Sequence, residues 1–287
     1  MINFAKRNLK LFFRDKTSVF FSLLTLIIIL GLYVLFLGDQ LVKGFEDQMS
    51  NANNVMDSWI MAGILAVTPV STTLGSFGIL VNDKAKKINK DFRSSPIKAR
   101  SLAGGYIISS FCIGTIMSVI ALTVVEIYFA AKGYAMLSAL GIIEILGMIL
   151  VSVFISSSMM FLVVSLFSSH NAFATANTII GTLIGFITGI YLPIGETDKA
   201  VQYVIEFFPI SHAASVFRKI LMAEPLKEGF KGAEDSALKD FNLEMGVEFE
   251  VFGHTVTTLE SILYMIVLGF LFYALGILIS KRKSKGA

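Results

Sequence analysis

The chain has 287 residues, 55% of them hydrophobic and 16% charged, with a mean hydropathy of +0.74. Soluble globular chains carry about 25% charged residues, so this is not the composition of a soluble enzyme, and it equally excludes a disordered chain or a disulfide scaffold. Cys112 is the single cysteine and lies in an apolar run, which leaves no intramolecular disulfide to form. The formal net charge is only +3; the informative quantity is where the charges fall along the chain.

Residues 2–14 predict a helix. Ile2, Ala5, Leu9, Phe12 and Phe13 fall within about 100° on a helical wheel, with Lys6, Arg7, Lys10 and Arg14 on the other side. Two readings fit: a helix lying on a membrane and touching a partner, or a basic anchor ahead of a membrane span. Six apolar stretches follow, at 17–37, 58–81, 101–129, 138–168, 171–192 and 259–280. About 20 residues at 1.5 Å each cross a hydrocarbon core. The third and fourth exceed that and should tilt or project. The first is too long for a cleaved leader, and no small-residue cleavage site follows Leu37. Pro69 should kink the second.

Between the second and third stretches, Ala85, Ile88 and Phe92 recur at helical spacing on an otherwise charged segment, and Asp83 and Lys87 stand four apart in the favourable order. This predicts a short amphipathic helix over Asn82–Phe92, with Ser95 and Pro96 opening the next helix. Its side chains suit docking into a groove on a soluble partner, through Asp83, Lys84, Lys87, Ile88, Asp91 and Phe92. A solvated basic hairpin is the plainer alternative.

The second stretch carries Thr68 and Thr72. The fifth carries Asn171, Thr175, Thr178, Thr182, Gly185 and Gly189 on one helical face. Such residues either pack helix against helix or line a polar path. Ser152, Ser156, Ser157 and Ser158 read as packing residues, while Glu126 and Glu144 flank the 130–137 turn and are placed to reach the interface or pair with Lys132. In 193–258, residues 200–223 read as two short helices broken at Pro209, each too short to cross and so expected to form a re-entrant hairpin. Residues 224–246 are polar, and Val247–Val251 alternates with period two, as a short strand does. His170, His212 and His254 lack partners at metal-ligand spacing, so no metal site is expected.

The head, the 82–100 loop and the tail hold sixteen of the 24 basic residues, against three acids, Asp15, Asp83 and Asp91. The positive-inside rule then puts both termini in the cytoplasm of a multi-pass plasma-membrane protein. The expected fold is all-α: six transmembrane helices, an interfacial helix over 1–16, a cytoplasmic loop at 82–100 and an extracellular segment at 193–258, in one domain spanning 1–287.

This plan resembles the permease of a bacterial type-2 ATP-binding-cassette (ABC) exporter. The resemblance rests on the six-span layout with its amphipathic head and basic loop, on Thr188-Gly189-Ile190-Tyr191-Leu192-Pro193, and on Phe207-Phe208-Pro209-Ile210-Ser211-His212 followed by Arg218. It implies re-entrant helices around Pro193, Pro209, His212 and Arg218, and a coupling helix over Asp83–Phe92. It also implies two permease copies, as a homodimer or a heterodimer, bound to two ATPase subunits. The family's loop often has a glycine; here Asn82-Asp83-Lys84-Ala85-Lys86-Lys87 has none.

The chain has no Gly-Lys dipeptide and hence no phosphate loop. It is therefore not expected to be an enzyme or to hold a cofactor itself; ATP and Mg would act through the partner subunit. The implied function is alternating access, with ATP binding favouring one of two states and a path along Thr68, Thr72, Asn171, Thr175, Thr178 and Thr182. An amphipathic or apolar cargo is expected: a drug (as in multidrug efflux), an antimicrobial peptide or a lipid-like molecule. The competing classes are an ion-coupled carrier and a non-transporting membrane scaffold or sensor; no nucleic-acid partner is expected.

Overall fold

A computed structural model describes residues 1–46, 48–49, 51–86, 88, 99–167 and 169–285. The chain is almost wholly helical: α1 (Ile2–Arg14), α2 (Lys16–Leu32), a π-helical turn (Tyr33–Leu37), α3 (Gly38–Phe45), α4 (Ala52–Ala85), α5 (Ala99–Lys132), α6 (Ala139–Leu166) and α7 (His170–Ile187). There follow α8 (Lys199–Phe207), α9 (Pro209–Leu221), α10 (Ala223–Gly229), α11 (Asp235–Glu244), a hairpin of β1 (Glu250–Val251) and β2 (His254–Thr255), and α12 (Thr258–Lys285).

Among the described residues, five helical stretches are long and apolar enough to cross a membrane: Lys16–Phe45, Ala52–Ala85, Ser101–Lys132, Ala139–Leu166 and Thr258–Arg282. The first is longer than the sequence predicts, because a π-helical turn carries the helix through Tyr33–Leu37 instead of ending it. Asp15 starts it: its carboxylate accepts from the amides of Thr17 and Ser18 at 3.1 and 3.2 Å, filling two of the donors a helix leaves open. The predicted fifth stretch is the helix α7, which is not among the five. It covers about 27 Å at 1.5 Å per residue, but His170, Asn171 and Asn177 make its first half polar.

The hub is α4. Its side chains are buried around almost the whole helix, and α5, α6, α9, α2 and α7 all pack on it. The helix runs unbroken through Pro69, and hydroxyls there bond the backbone: Thr68 donates to Ile64, Thr72 to Thr68 and Thr73 to Pro69, at 2.7–2.9 Å. The tightest pair is α6 with α12. Gly269 lies under Phe154 and Gly276 under Phe161, so the backbones approach where any side chain would collide. The Ser157 and Tyr273 hydroxyls meet across this seam at 2.6 Å.

Residues 193–258 fold back onto one end of the bundle. Pro209 separates α8 from α9 as the sequence predicts and occupies the first turn of α9, where its missing amide costs nothing. α9 is buried against α4, α6 and α12. The polar 224–246 stretch contains two short helices, and its Leu226, Phe241 and Met245 are buried. The expected strand shrinks to the two residues of β1, paired with β2.

Candidate functional site

Three buried polar clusters organise the molecule, and each sits where elements distant in sequence meet. The first lies at the end of α4 that leads into residues 87–98. Asp83 is only 4% exposed. Arg7 of α1 grips its carboxylate with both guanidinium nitrogens, at 2.8 and 3.1 Å, and the Tyr106 hydroxyl of α5 donates to it at 2.6 Å. Asn8 extends the cluster by donating to Ser109 at 3.2 Å, and Phe4 meets Tyr106 edge-on. The bidentate pair raises the Arg7 pKa, the hydrogen bond to Asp83 being the largest cause.

This geometry changes the reading of the predicted docking residues. Asp83 does not face outward; it holds α1 and α5 to α4. Lys84 and Ile88 are half-buried, and Lys87, Asp91 and Phe92 lie outside the described residues. The buried face of α1 also differs from the wheel. Phe4, Ala5, Asn8 and Phe12 pack inward, while Ile2 and Phe13 stay exposed. The reason is the polar residue Asn8, which a hydrophobic wheel places outside and a hydrogen bond draws in.

The second cluster surrounds Asp57, near the opposite end of α4. Tyr33 and Tyr128 donate to Oδ1 at 2.7 and 3.0 Å, Tyr134 donates to Oδ2 at 2.8 Å, and the Lys132 ammonium stands 3.9 Å from Oδ2. One carboxylate thus ties the π-helical turn, α5 and the 133–138 turn to α4. Burial and the adjoining carboxylate hold the Tyr134 hydroxyl well above the usual phenol range. The sequence reading misses this site because it begins the second span at residue 58, one position too late. The available signal was an acid next to an apolar run, beside the single tryptophan. Lys132, expected beside Glu126 or Glu144, pairs with Asp57 instead. The carboxylate oxygens of Glu126 are closed from solvent, with the Leu137 amide near them but not at hydrogen-bonding geometry, and Glu144 is exposed.

The third cluster centres on Arg218, which is fully buried. Its Nη2 donates to the Gly189 carbonyl at 2.6 Å and its Nη1 to that of Gly246 at 3.2 Å, while the guanidinium lies 4.7 Å over the Trp59 ring. Trp59 in turn donates to the Met245 carbonyl at 2.7 Å. Burial pushes the Arg218 pKa down to about 9, so it stays charged at neutral pH and is stabilised by two carbonyl dipoles and an aromatic face. Around it, Ser211 donates to the Ile187 carbonyl and Ser215 to that of Val247, at 2.9 and 2.7 Å. His212 bonds Ser261 through Nδ1 and the Glu206 carbonyl through Nε2. A carbonyl only accepts, so Nε2 carries the proton and Nδ1 accepts from Ser261. Pro193, the fourth residue of this predicted group, is buried before a single 3-10 turn (Ile194–Glu196).

The residues expected to line a path separate into two sets. Thr68 and Thr72 are buried in the bundle and satisfied by their own helix. Asn171, Thr175, Thr178 and Thr182 form an exposed stripe along α7, each threonine donating to a carbonyl one turn back. Gly185 and Gly189 do not continue it. Gly185 is covered by Tyr191, and Gly189 lies beyond the helix with φ +63°.

Residues 37–278, most of the chain and all three clusters apart from the α1 residues and Tyr33, match the family of the ABC-2 family transporter protein. The chain belongs to the ABC-2 transporter family. A search of curated proteins found no match. The three clusters are thus the internal anchors of an ABC-2 permease, a multi-pass membrane protein. The Pro209–Arg218 motif of this permease works by capping backbone carbonyls at the ends of α7, α8 and α11.

Proposed function

We propose that this permease is the membrane subunit of an ATP-driven exporter. It works with a separate ATPase subunit and a second permease copy, and it moves an amphipathic or apolar cargo. The basic end, with both termini and residues 82–100, faces the cytoplasm, and α7 serves as a sixth span. The observation that carries the reading is the Arg7–Asp83–Tyr106 cluster. It sits where α4 runs into the basic loop, so a force applied to that loop by an ATPase reaches α1, α4 and α5 together. ATP binding then acts by favouring one of two arrangements of the bundle. The exposed hydroxyl stripe of α7 supports a path at the seam between two permease copies, with Thr68 and Thr72 acting inside the bundle. Cargo of low charge fits the apolar surfaces flanking that stripe.

The test is co-purification of the tagged permease with an ATPase subunit, followed by ATP hydrolysis in proteoliposomes across a panel of amphipathic compounds. Wild type is expected to retain the ATPase and to show compound-stimulated hydrolysis; Ile88→Asp with Phe92→Asp is expected to lose both. A permease that binds no ATPase, or whose double variant keeps stimulated hydrolysis, overturns the reading.

A further inference from the structure

Residues 250–255 form a hairpin with a two-residue loop, since Glu250 pairs with Thr255 and Val251 with His254. The loop residues Phe252 and Gly253 both have positive φ, +52° and +79°. Such a loop favours asparagine, aspartate or glycine at its first position, because a side chain there crowds its own backbone. A bulky phenylalanine at positive φ is an outlier that persists where the side chain is needed. Phe252 does not serve the core: it is 87% exposed. Its ring leans towards that of Phe207, 6.5 Å between centroids, at the end of α8.

The surroundings say what covers it. Along α8, Val201, Tyr203, Val204 and Phe207 are exposed while Ile205 is buried, so the outward face of this helix is the apolar one. The Tyr264 hydroxyl of α12 donates to the Phe207 carbonyl at 2.7 Å, which joins that face to α12. From there an exposed apolar stripe runs down α12 through Leu263, Val267 and Phe270, on a helix long and apolar enough to cross the membrane. The face is therefore continuous with a lipid-facing surface. Its rim is ionic, with His254 and Glu260 paired at 3.1 Å and exposed Glu250 beside them; Tyr264 follows Glu260 by one turn of α12, and Tyr203 is half-exposed on α8. Aromatic rings above an apolar stripe and below an ionic rim match the bilayer's interfacial layer.

We propose that the Phe252–Gly253 hairpin tip, together with the exposed face of α8, is a lipid-binding anchor seated in the interfacial layer of the bilayer. It holds the 193–258 segment against the membrane at the head of α12. The anchor rests on α12 being a membrane span, as the permease reading requires.

The experiment uses the full chain in phosphatidylcholine vesicles carrying lipids brominated at shallow or deep acyl positions. The native Trp59, fully buried, supplies a background measured in wild type. Phe252→Trp is expected to emit to the blue of a water-exposed indole and to be quenched several-fold more than wild type, more strongly by shallow than by deep bromines. Val267→Trp on α12 is the control, expected to be quenched by the deep lipids; if it is not, the span assignment has failed rather than the anchor. With that control quenched, a Phe252→Trp signal quenched by aqueous iodide and not by bromolipid overturns the proposal. So does a signal reached by neither, which means that a second copy covers the tip. Should Phe252→Trp not fold, a nitroxide on Phe252→Cys with Cys112→Ser reports the same three outcomes. Oxygen relaxing it more than a water-soluble nickel chelate supports the anchor; the reverse order, or access to neither, overturns it.

Discussion

Asp57 shows how much one side chain can carry in an apolar bundle. It takes three tyrosine hydroxyls within 3.0 Å and faces the Lys132 ammonium. Asp57→Ala strands those donors in a buried place, and each orphaned group costs about 1–3 kcal/mol, partly recovered as the Lys132 end reaches water. We expect a net loss of about 3 kcal/mol, read as a lowered midpoint in detergent unfolding, with Asp57→Asn losing less because its amide oxygen still accepts. His212 makes the pH prediction. Burial pushes its pKa down to about 4 from an ordinary 6.5, and it faces the Phe249 and Tyr264 rings, the Ser261 hydroxyl, the Glu206 carbonyl and, on its own helix, Lys219. Above pH 6.5 the ring is neutral folded and unfolded, and pH has no effect through it. Below 6.5 the unfolded chain takes a proton that the folded chain refuses, so stability falls as pH drops towards 4. The expected loss is about 2 kcal/mol at pH 5, at about 1.4 kcal/mol per unit. Unfolding from pH 7.5 to 5 measures it, and His212→Gln should flatten the profile.

Among the elements, α1 is legible as a helix from its apolar spacing, but not in its docking. A wheel ranks residues by hydrophobicity, whereas the docking is decided by Arg7 and Asn8, two polar side chains whose partners Asp83 and Ser109 lie 76 and 101 residues away. Arg7→Ala leaves Asp83 buried with Tyr106 as its remaining partner among the described residues, which costs about 3 kcal/mol, the low end for removing one partner of a buried pair because Arg7 is only partly buried. We expect α1 to lift from α5, seen as faster amide exchange over 2–14 with α6 and α12 unchanged. Arg7→Lys should restore part of the protection, because an ammonium keeps the charge but not the two-pronged grip. The break between α8 and α9 was legible for the opposite reason: proline acts locally, through its own ring and missing amide, whatever packs around it.

At the scale of the whole molecule, the 193–258 segment behaves as a cap on the bundle, held by the bond from Arg218 to the Gly189 carbonyl, by that from Trp59 to the Met245 carbonyl, and by the Asn51 amide, which donates to the Pro225 carbonyl at 2.8 Å. Arg218→Ala removes an unneutralised buried charge, which is favourable. It also opens a cavity over Trp59 and strands the carbonyls of Gly189 and Gly246, and for a fully buried side chain these losses outweigh the gain. We expect a net cost of about 2 kcal/mol, confined to the cap, so that amide exchange over 223–249 quickens about thirtyfold while α5 and α6 hold. Arg218→Met keeps most of the volume and should cost about half as much.

The amino-acid sequence by itself determined that this is a helical membrane protein, where most of its long helices run, where proline divides the cap, and that no phosphate loop is present. Each of these follows from composition or from spacing within one helix, quantities that need no knowledge of neighbours. Only the tertiary structure decided that Asp83 faces inward, that Asp57 is a hub, that residues 224–246 are ordered helices, that Thr68 and Thr72 are enclosed while the α7 stripe is open, and that Phe252 stands exposed. Asp83 and Asp57 are polar side chains whose environment is set by partners far along the chain, and the packing of 224–246 and the enclosure of Thr68 and Thr72 likewise depend on helices distant in sequence. In an apolar bundle the hydrophobic pattern says which residues avoid water but not which side of a helix meets protein and which meets lipid, since both are apolar; that choice rests on a few buried hydrogen bonds, and these exist only once the helices have met.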